Sequence, residues 1–251
     1  MSILDIFKKK ESTKDAKSKT VEVPAELTKK VSLAKEEVKK VCLTKKPLQN
    51  LIANVGVVLD YTGSMGDLYN NGTVQATVEK LLPMAMTFDD NGTMEAWRFS
   101  DGFKRLKDIT LGNLHNYLKE TNSCDPGGCT YYAPVIKDVI STYKKNKIPA
   151  YVIFITDGDN FDKDETTKLI KEASKYPIFW QFVGIGNEEF TYLQKLDDMD
   201  GRYVDNADFF KVHKASDITY NKLLTEFPKW LENPRVKDML NISSTGEIIQ
   251  M

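Results

Sequence analysis

The chain is poor in cysteine, in histidine and in long apolar runs, and each shortage excludes a class of protein. Three cysteines, Cys42, Cys124 and Cys129, occur among 251 residues. No two of them form a CxxC pair and their number is odd, so a disulfide scaffold is not expected. Reduced thiols in a cytoplasmic protein are expected instead. The two histidines, His115 and His213, stand in no motif, which leaves a zinc site without its usual ligands. No apolar run reaches the roughly 18 residues a membrane-spanning helix requires. The opening MSILDIFKKK lacks the apolar core and cleavage site of a signal peptide.

Charge is nearly balanced, at −1 overall, but unevenly placed. Residues 1–50 carry 13 Lys or Arg against 7 Asp or Glu, and the remainder 22 against 29, so a basic arm precedes an acidic domain. The arm's lysines are spread out and not interleaved with aromatics, so no nucleic-acid partner is expected. Ile3, Leu4, Ile6 and Phe7 ahead of Lys8–Lys10 form a short amphipathic segment. Residues 2–10 therefore offer a contact to an anionic membrane or a partner groove. Two turns of helix bind weakly, and a frayed, solvated terminus is the favoured reading.

Four regions follow. Residues 1–20 read as a basic flexible segment. Residues 21–50 read as a short strand pair, because Val31-Ser32-Leu33-Ala34-Lys35 recurs as Val41-Cys42-Leu43-Thr44-Lys45, a V-x-L-x-K alternation with the two-residue period of a strand. Residues 51–232 form the main domain, and 233–251 a loose tail. Within the main domain strand and helix signals alternate. Asn54–Asp60 and Pro149–Thr156 are apolar enough to be buried on both faces. Helical spacing covers Gly72–Asp89, Leu111–Glu120, Tyr131–Lys145, Lys163–Lys175, Glu189–Leu196 and Ala215–Leu231. Ile178–Gly184 and Tyr203–Asp205 read as further strands, and Thr93–Phe99 with Phe103–Ile109 as a hairpin around Ser100-Asp101-Gly102. This pattern predicts an α/β fold: a doubly wound, mainly parallel sheet with helices on both faces and one antiparallel edge strand.

In such a sheet ligands bind beyond the carboxyl ends of the strands. Three polar loops should meet there. One carries Asp60, Thr62 and Ser64, a second is Pro126-Gly127-Gly128-Cys129-Thr130-Tyr131, and the third is Thr156-Asp157-Gly158. Their carboxylates and hydroxyls are oxygen ligands, which suit Mg²⁺ and to a lesser degree Mn²⁺ or Ca²⁺. Two other readings stand beside this one. Asp60 and Ser64 can merely cap the following turn. Alternatively, Asp60 is the phosphoryl-accepting nucleophile of a Mg²⁺-dependent phosphotransfer enzyme. Phosphatases of the haloacid-dehalogenase type carry D-x-D, however, and here Thr62 stands where the second Asp belongs.

The set Asp60-x-Thr62-x-Ser64, Thr130 and Asp157 resembles the metal-ion-dependent adhesion site (MIDAS) of von Willebrand factor A (vWA) domains, with Thr for the first Ser of D-x-S-x-S. The segments Gly128–Val135, Gln181–Asn187, Gly201–Ala207 and Glu226–Leu231 are similar to the TerF-like branch, associated with bacterial tellurium resistance and stress response. The resemblance implies a non-enzymatic module. Ser64 and Thr62 would ligate the cation directly, Thr130 directly or through water, and Asp60 and Asp157 mainly through water. A protein partner, with other Ter-type proteins as candidates, would supply an Asp or Glu to the metal.

Overall fold

The computed structural model describes residues 23–89, 91–122 and 124–241. The amphipathic segment at 2–10 and the basic segment at 1–20 lie outside the described residues. Six strands form one sheet: β1 (Asn54–Asp60), β2 (Glu95–Phe99), β3 (Phe103–Arg105), β4 (Ala150–Thr156), β5 (Ile178–Ile185) and β6 (Ala207–Val212). Their order is β3-β2-β1-β4-β5-β6. All neighbours are parallel except β2 and β3, the expected antiparallel edge.

Ten helices are described around the sheet: α1 (Ala25–Leu43), α2 (Gly66–Asn70), α3 (Thr73–Phe88), α4 (Tyr117–Thr121), α5 (Ala133–Tyr143), α6 (Lys163–Ala173), α7 (Thr191–Asp198), α8 (Tyr220–Leu223), α9 (Phe227–Glu232) and α10 (Pro234–Met239). Alternate residues of each central strand enter opposite cores, as the two-residue period of a strand requires. Val57, Leu59, Ile153 and Ile155 pack toward α3, with α1 behind it, and toward the closing helices. Val58, Val152, Phe154, Trp180 and Phe182 pack with the apolar faces of α5, α6 and α7. Both faces are covered, which is why β1 and β4 are apolar throughout. At Gly56 a Cβ would stand 2.8 Å from the Tyr143 hydroxyl and 3.0 Å from the Trp97 ring, so this strand position admits only glycine without displacement.

Four expectations are corrected. The repeat at 31–46 is no strand pair: as far as Leu43 it lies on α1, a 19-residue helix. The five-residue windows show alternation, but Leu27, Val31, Val38 and Cys42 are buried at spacings of four, seven and four, a helical stripe. Lys, Glu and Ala fill the positions between them and favour the helix. Lys30 also pairs with Glu79 of α3 at 2.7 Å.

The last strand is Ala207–Val212 instead of Tyr203–Asp205. Its inner residues are half-buried at the sheet edge, so Asp208 and Lys211 dilute the apolar signal. The expected closing helix is broken. A 3-10 turn at Ala215–Asp217 precedes α8 and α9, and α9 opens on Phe227-Pro228, where the missing N–H of proline is tolerated. Finally, the segment after 232 is not wholly a tail. The Asn233 side chain accepts a hydrogen bond from Arg235 N–H at 3.0 Å and caps α10, and Val236 is buried.

Candidate metal centre

β1 lies between β2 and β4, so the chain reverses its direction of travel across the sheet at the β1/β4 boundary. The carboxyl ends of these two strands form the crevice where ligands of open α/β sheets bind. Asp60 ends β1, and Asp157 follows Thr156 at the end of β4. Both strands are fixed by burial, so the side chains at their ends inherit that rigidity.

Asp60 is wholly buried, and both of its carboxylate oxygens are engaged. Oδ1 accepts from the Thr62 N–H at 2.8 Å and the Thr62 hydroxyl at 2.6 Å, and Oδ2 from the Thr156 hydroxyl at 2.6 Å. Thr62 Oγ1 stands 3.1 Å from Ser64 Oγ, and the Ser64 hydroxyl donates to Asp157 Oδ1 at 2.8 Å. One side-chain network therefore runs from the first loop to the third. Burial pushes the Asp60 carboxyl up to about 6, against the hydrogen bonds from Thr156 and Thr62, and the charge of Asp157 adds to the rise. Burial also raises Asp157; the Ser64 hydrogen bond opposes this and Glu188 reinforces it. The Asp157 charge thus adds to the cost of ionising Asp60, and hydroxyl and amide groups are the carboxylates' hydrogen-bond partners. That donor set fits a hard cation, which would relieve the repulsion. Among the described residues no cluster of three or more His, Cys, Asp or Glu side chains could hold a metal ion. A cation here would therefore depend on the hydroxyls as much as on the two carboxylates.

The second loop is drawn in through its backbone. Gly127 N–H donates to the Tyr61 carbonyl at 2.9 Å, and the Tyr61 hydroxyl donates to the Cys124 carbonyl. Thr130 accepts from the Phe161 N–H at 3.0 Å, which joins the second loop to the third. Of the five residues expected from the sequence, Asp60, Thr62, Ser64 and Asp157 share direct side-chain hydrogen bonds. Thr130 shares none of these and is tied to the third loop through its main chain.

Two supporting aspartates escaped the sequence reading, and Tyr132 takes the packing role that its place beside Thr130 favours. Asp101, in the β2–β3 turn, accepts from the Cys129 N–H at 2.7 Å and lies against Gly128. A Cβ on Gly128 would stand 2.4 Å from Asp101 Oδ2, and its φ of +84° is in the left-handed region that favours glycine. Asp162 accepts from the N–H groups of Tyr132 and Ala133 at 3.0 and 2.7 Å, satisfying the start of α5. Tyr132 is buried, with its hydroxyl 3.0 Å from Thr156 Oγ1 and 2.7 Å from the Gly158 carbonyl. The aspartates sit in turns dense with charge, where nothing marks one carboxylate as the clamp.

Comparison with known proteins agrees with the fold and assigns the family. A family model described as vWA-TerF-like, the vWA found in the TerF C terminus, matches residues 52–240. The uncharacterized protein YcbR of Bacillus subtilis (strain 168) is 39% identical over 207 residues, covering 78% of this chain and 84% of its own length. Copine-C of Dictyostelium discoideum is 31% identical over 99 residues, which are 38% of this chain and 18% of that protein. Among solved structures, the ArnB paralog VWA2 from Sulfolobus acidocaldarius aligns with a TM-score of 0.46 and 16% identity, covering 72% of this chain and 45% of its own.

Proposed function

The chain belongs to the vWA-TerF-like family, and from that membership we propose that its three loops form a Mg²⁺-dependent protein-binding site. vWA domains are in general protein-interaction modules. The observation that carries the metal reading is the buried Asp60 carboxylate, held only by hydroxyls and an amide and linked through Thr62 and Ser64 to Asp157. Ser64, Thr62 and Thr130 would offer hydroxyl oxygens to the ion, and Asp60 and Asp157 the carboxylates that balance its charge. When bound, the cation supplies a positive centre to which an Asp or Glu of a partner coordinates. Mn²⁺ and Ca²⁺ have the same oxygen preference and are the alternatives.

The partner side of the reading is a protein that presents an Asp or Glu to the metal, with other Ter-type proteins as candidates, in a tellurium-resistance or stress-response assembly. Among the described residues, three open clefts of about 290, 390 and 540 Å³ lie away from the five residues. The phosphotransfer alternative is disfavoured, because Asp60 is buried with both oxygens occupied and presents no free nucleophilic lone pair to solvent. All three cysteines are free thiols, in keeping with a cytoplasmic setting. No helix among the described residues is long and apolar enough to cross a membrane.

Mg²⁺ titration by calorimetry into the wild type and Asp60→Ala tests the metal; equal affinity for both would reject it. Partner capture with and without EDTA, using the wild type and Ser64→Ala, tests the bridge. Capture indifferent to both changes rejects it.

A further inference from the structure

The rim of the candidate site carries an exposed aromatic side chain for which the fold has no use. Phe161 is 73% exposed, more than any other large hydrophobic residue among those described. Apolar exposure of that size is informative when it is held in place. Its N–H is bonded to the Thr130 carbonyl at 3.0 Å, which seats its backbone directly against a residue of the metal set. On either side the loop is fixed from within. Asn160 is buried, and its Nδ2 donates to Asp162 Oδ1 at 2.6 Å and to the Thr166 hydroxyl at 3.2 Å. Asp162 in turn holds the start of α5. The outward direction of Phe161 is thus imposed by an ordered loop. Tyr131, next to Thr130, packs on it with ring centroids 5.9 Å apart, whereas the adjacent Tyr132 is buried.

We propose that Tyr131 and Phe161 form an aromatic platform that reads the residue beside the metal-bound carboxylate of a partner, selecting an aromatic or branched aliphatic side chain at that position. This rests on the metal-bridged reading above and specifies its partner. Charge narrows the partner further. Asp159, Glu188 and Glu189 are exposed around the third loop, and Glu188 lies close enough to act on Asp157. A run of acidic residues would be repelled there. The segment recognised is therefore a single Asp or Glu, flanked by an apolar side chain and followed by neutral or basic residues.

Two capped tetrapeptides, Gly-Asp-Phe-Lys and Gly-Asp-Gly-Lys, titrated to millimolar concentration and followed by amide NMR shifts, test this in Mg²⁺ and in EDTA. The phenylalanine peptide should bind about 10-fold more tightly in Mg²⁺, in line with an aromatic contact of about 1.4 kcal/mol. Phe161→Ser should abolish the preference and leave Mg²⁺ affinity unchanged, and Phe161→Leu should keep part of it. Equal binding of the two peptides, or a preference that survives Phe161→Ser, overturns the platform while Mg²⁺ binding stands. If neither peptide responds to Mg²⁺, this inference and the metal-bridged reading fall together.

Discussion

Replacing Asp60 by Asn removes a buried charge while keeping the shape of the side chain, and it separates the cost of that charge from the worth of its hydrogen bonds. The carboxyl is raised from 3.8 to about 6 in the folded protein. A raised folded-state value means that the native state holds its proton more tightly than the unfolded chain. Stability from this group is therefore complete below 3.8 and lost as pH rises through about 6. The displacement is about two pH units, or ~3 kcal/mol at most. Since Asp60 is fully buried, solvent screening does not reduce that figure. Lost hydrogen bonds will lower the stability of Asp60→Asn, but by the same amount at every pH. The difference between variant and wild type should accordingly move in the variant's favour by about 2 kcal/mol from pH 4 to pH 8. In a domain of this size that is a relative Tm change of about 4 to 8 °C. Thermal melts in EDTA at the two pH values measure it. At pH 8, adding Mg²⁺ at about 100 times its Kd should stabilise the wild type by ~2.7 kcal/mol and leave the variant unmoved. A difference that is constant with pH, together with a wild type blind to Mg²⁺, would refute the reasoning. Asp60 would then be a hydrogen-bonding staple and nothing more.

Other consequences are equally open to measurement. Asp101→Ala should free the second loop and weaken Mg²⁺ binding several-fold, a loss of about 1 kcal/mol or more, while Asp101→Asn, which keeps an acceptor for the Cys129 N–H, should restore most of it; calorimetry decides. Tyr132→Phe deletes the hydroxyl between Thr156 and Gly158 and should cost about 1 kcal/mol of stability in denaturant unfolding. In Gly56→Ala the new methyl meets Tyr143 and Trp97, and overpacking of this kind should cost about 1 to 3 kcal/mol in the same assay. Asp197 is raised to about 7, by burial first and then by Asp208. Its contribution is lost as pH climbs toward 7, so Asp197→Asn should melt higher than wild type at pH 8 and not at pH 4; half-exposure in solvent makes this effect smaller than that of Asp60.

The central strands and the site loops were legible in the sequence for one physical reason. β1 and β4 are buried on both faces, so their apolar runs are unbroken and end abruptly at Asp60 and Asp157. The edge β6 sees solvent along its middle, so its Asp208 and Lys211 hid it among loop residues. α1 was misread because alternation over five residues and a helical stripe over nineteen share Val31, and only the longer window shows that Leu33 faces solvent, off the stripe. Asp101 was missed because its role depends on Gly128 arriving from a distant loop, and neither residue alone carries a signal.

Tyr61 anchors both ends of one loop segment, with its carbonyl taken by Gly127 and its hydroxyl bound to the Cys124 carbonyl. The residue after Asp60 is thereby wired to an exposed thiol. A second exposed thiol, Cys129, immediately precedes Thr130, whereas Cys42 is buried and pushed up to about 11, where it scarcely ionises at neutral pH. The unmodified chain thus confines its reactive sulfur to the loop under test. Alkylation rates at Cys124 and Cys129, followed by mass spectrometry against Cys42 as an internal blank, would record any rearrangement of that loop without an engineered label.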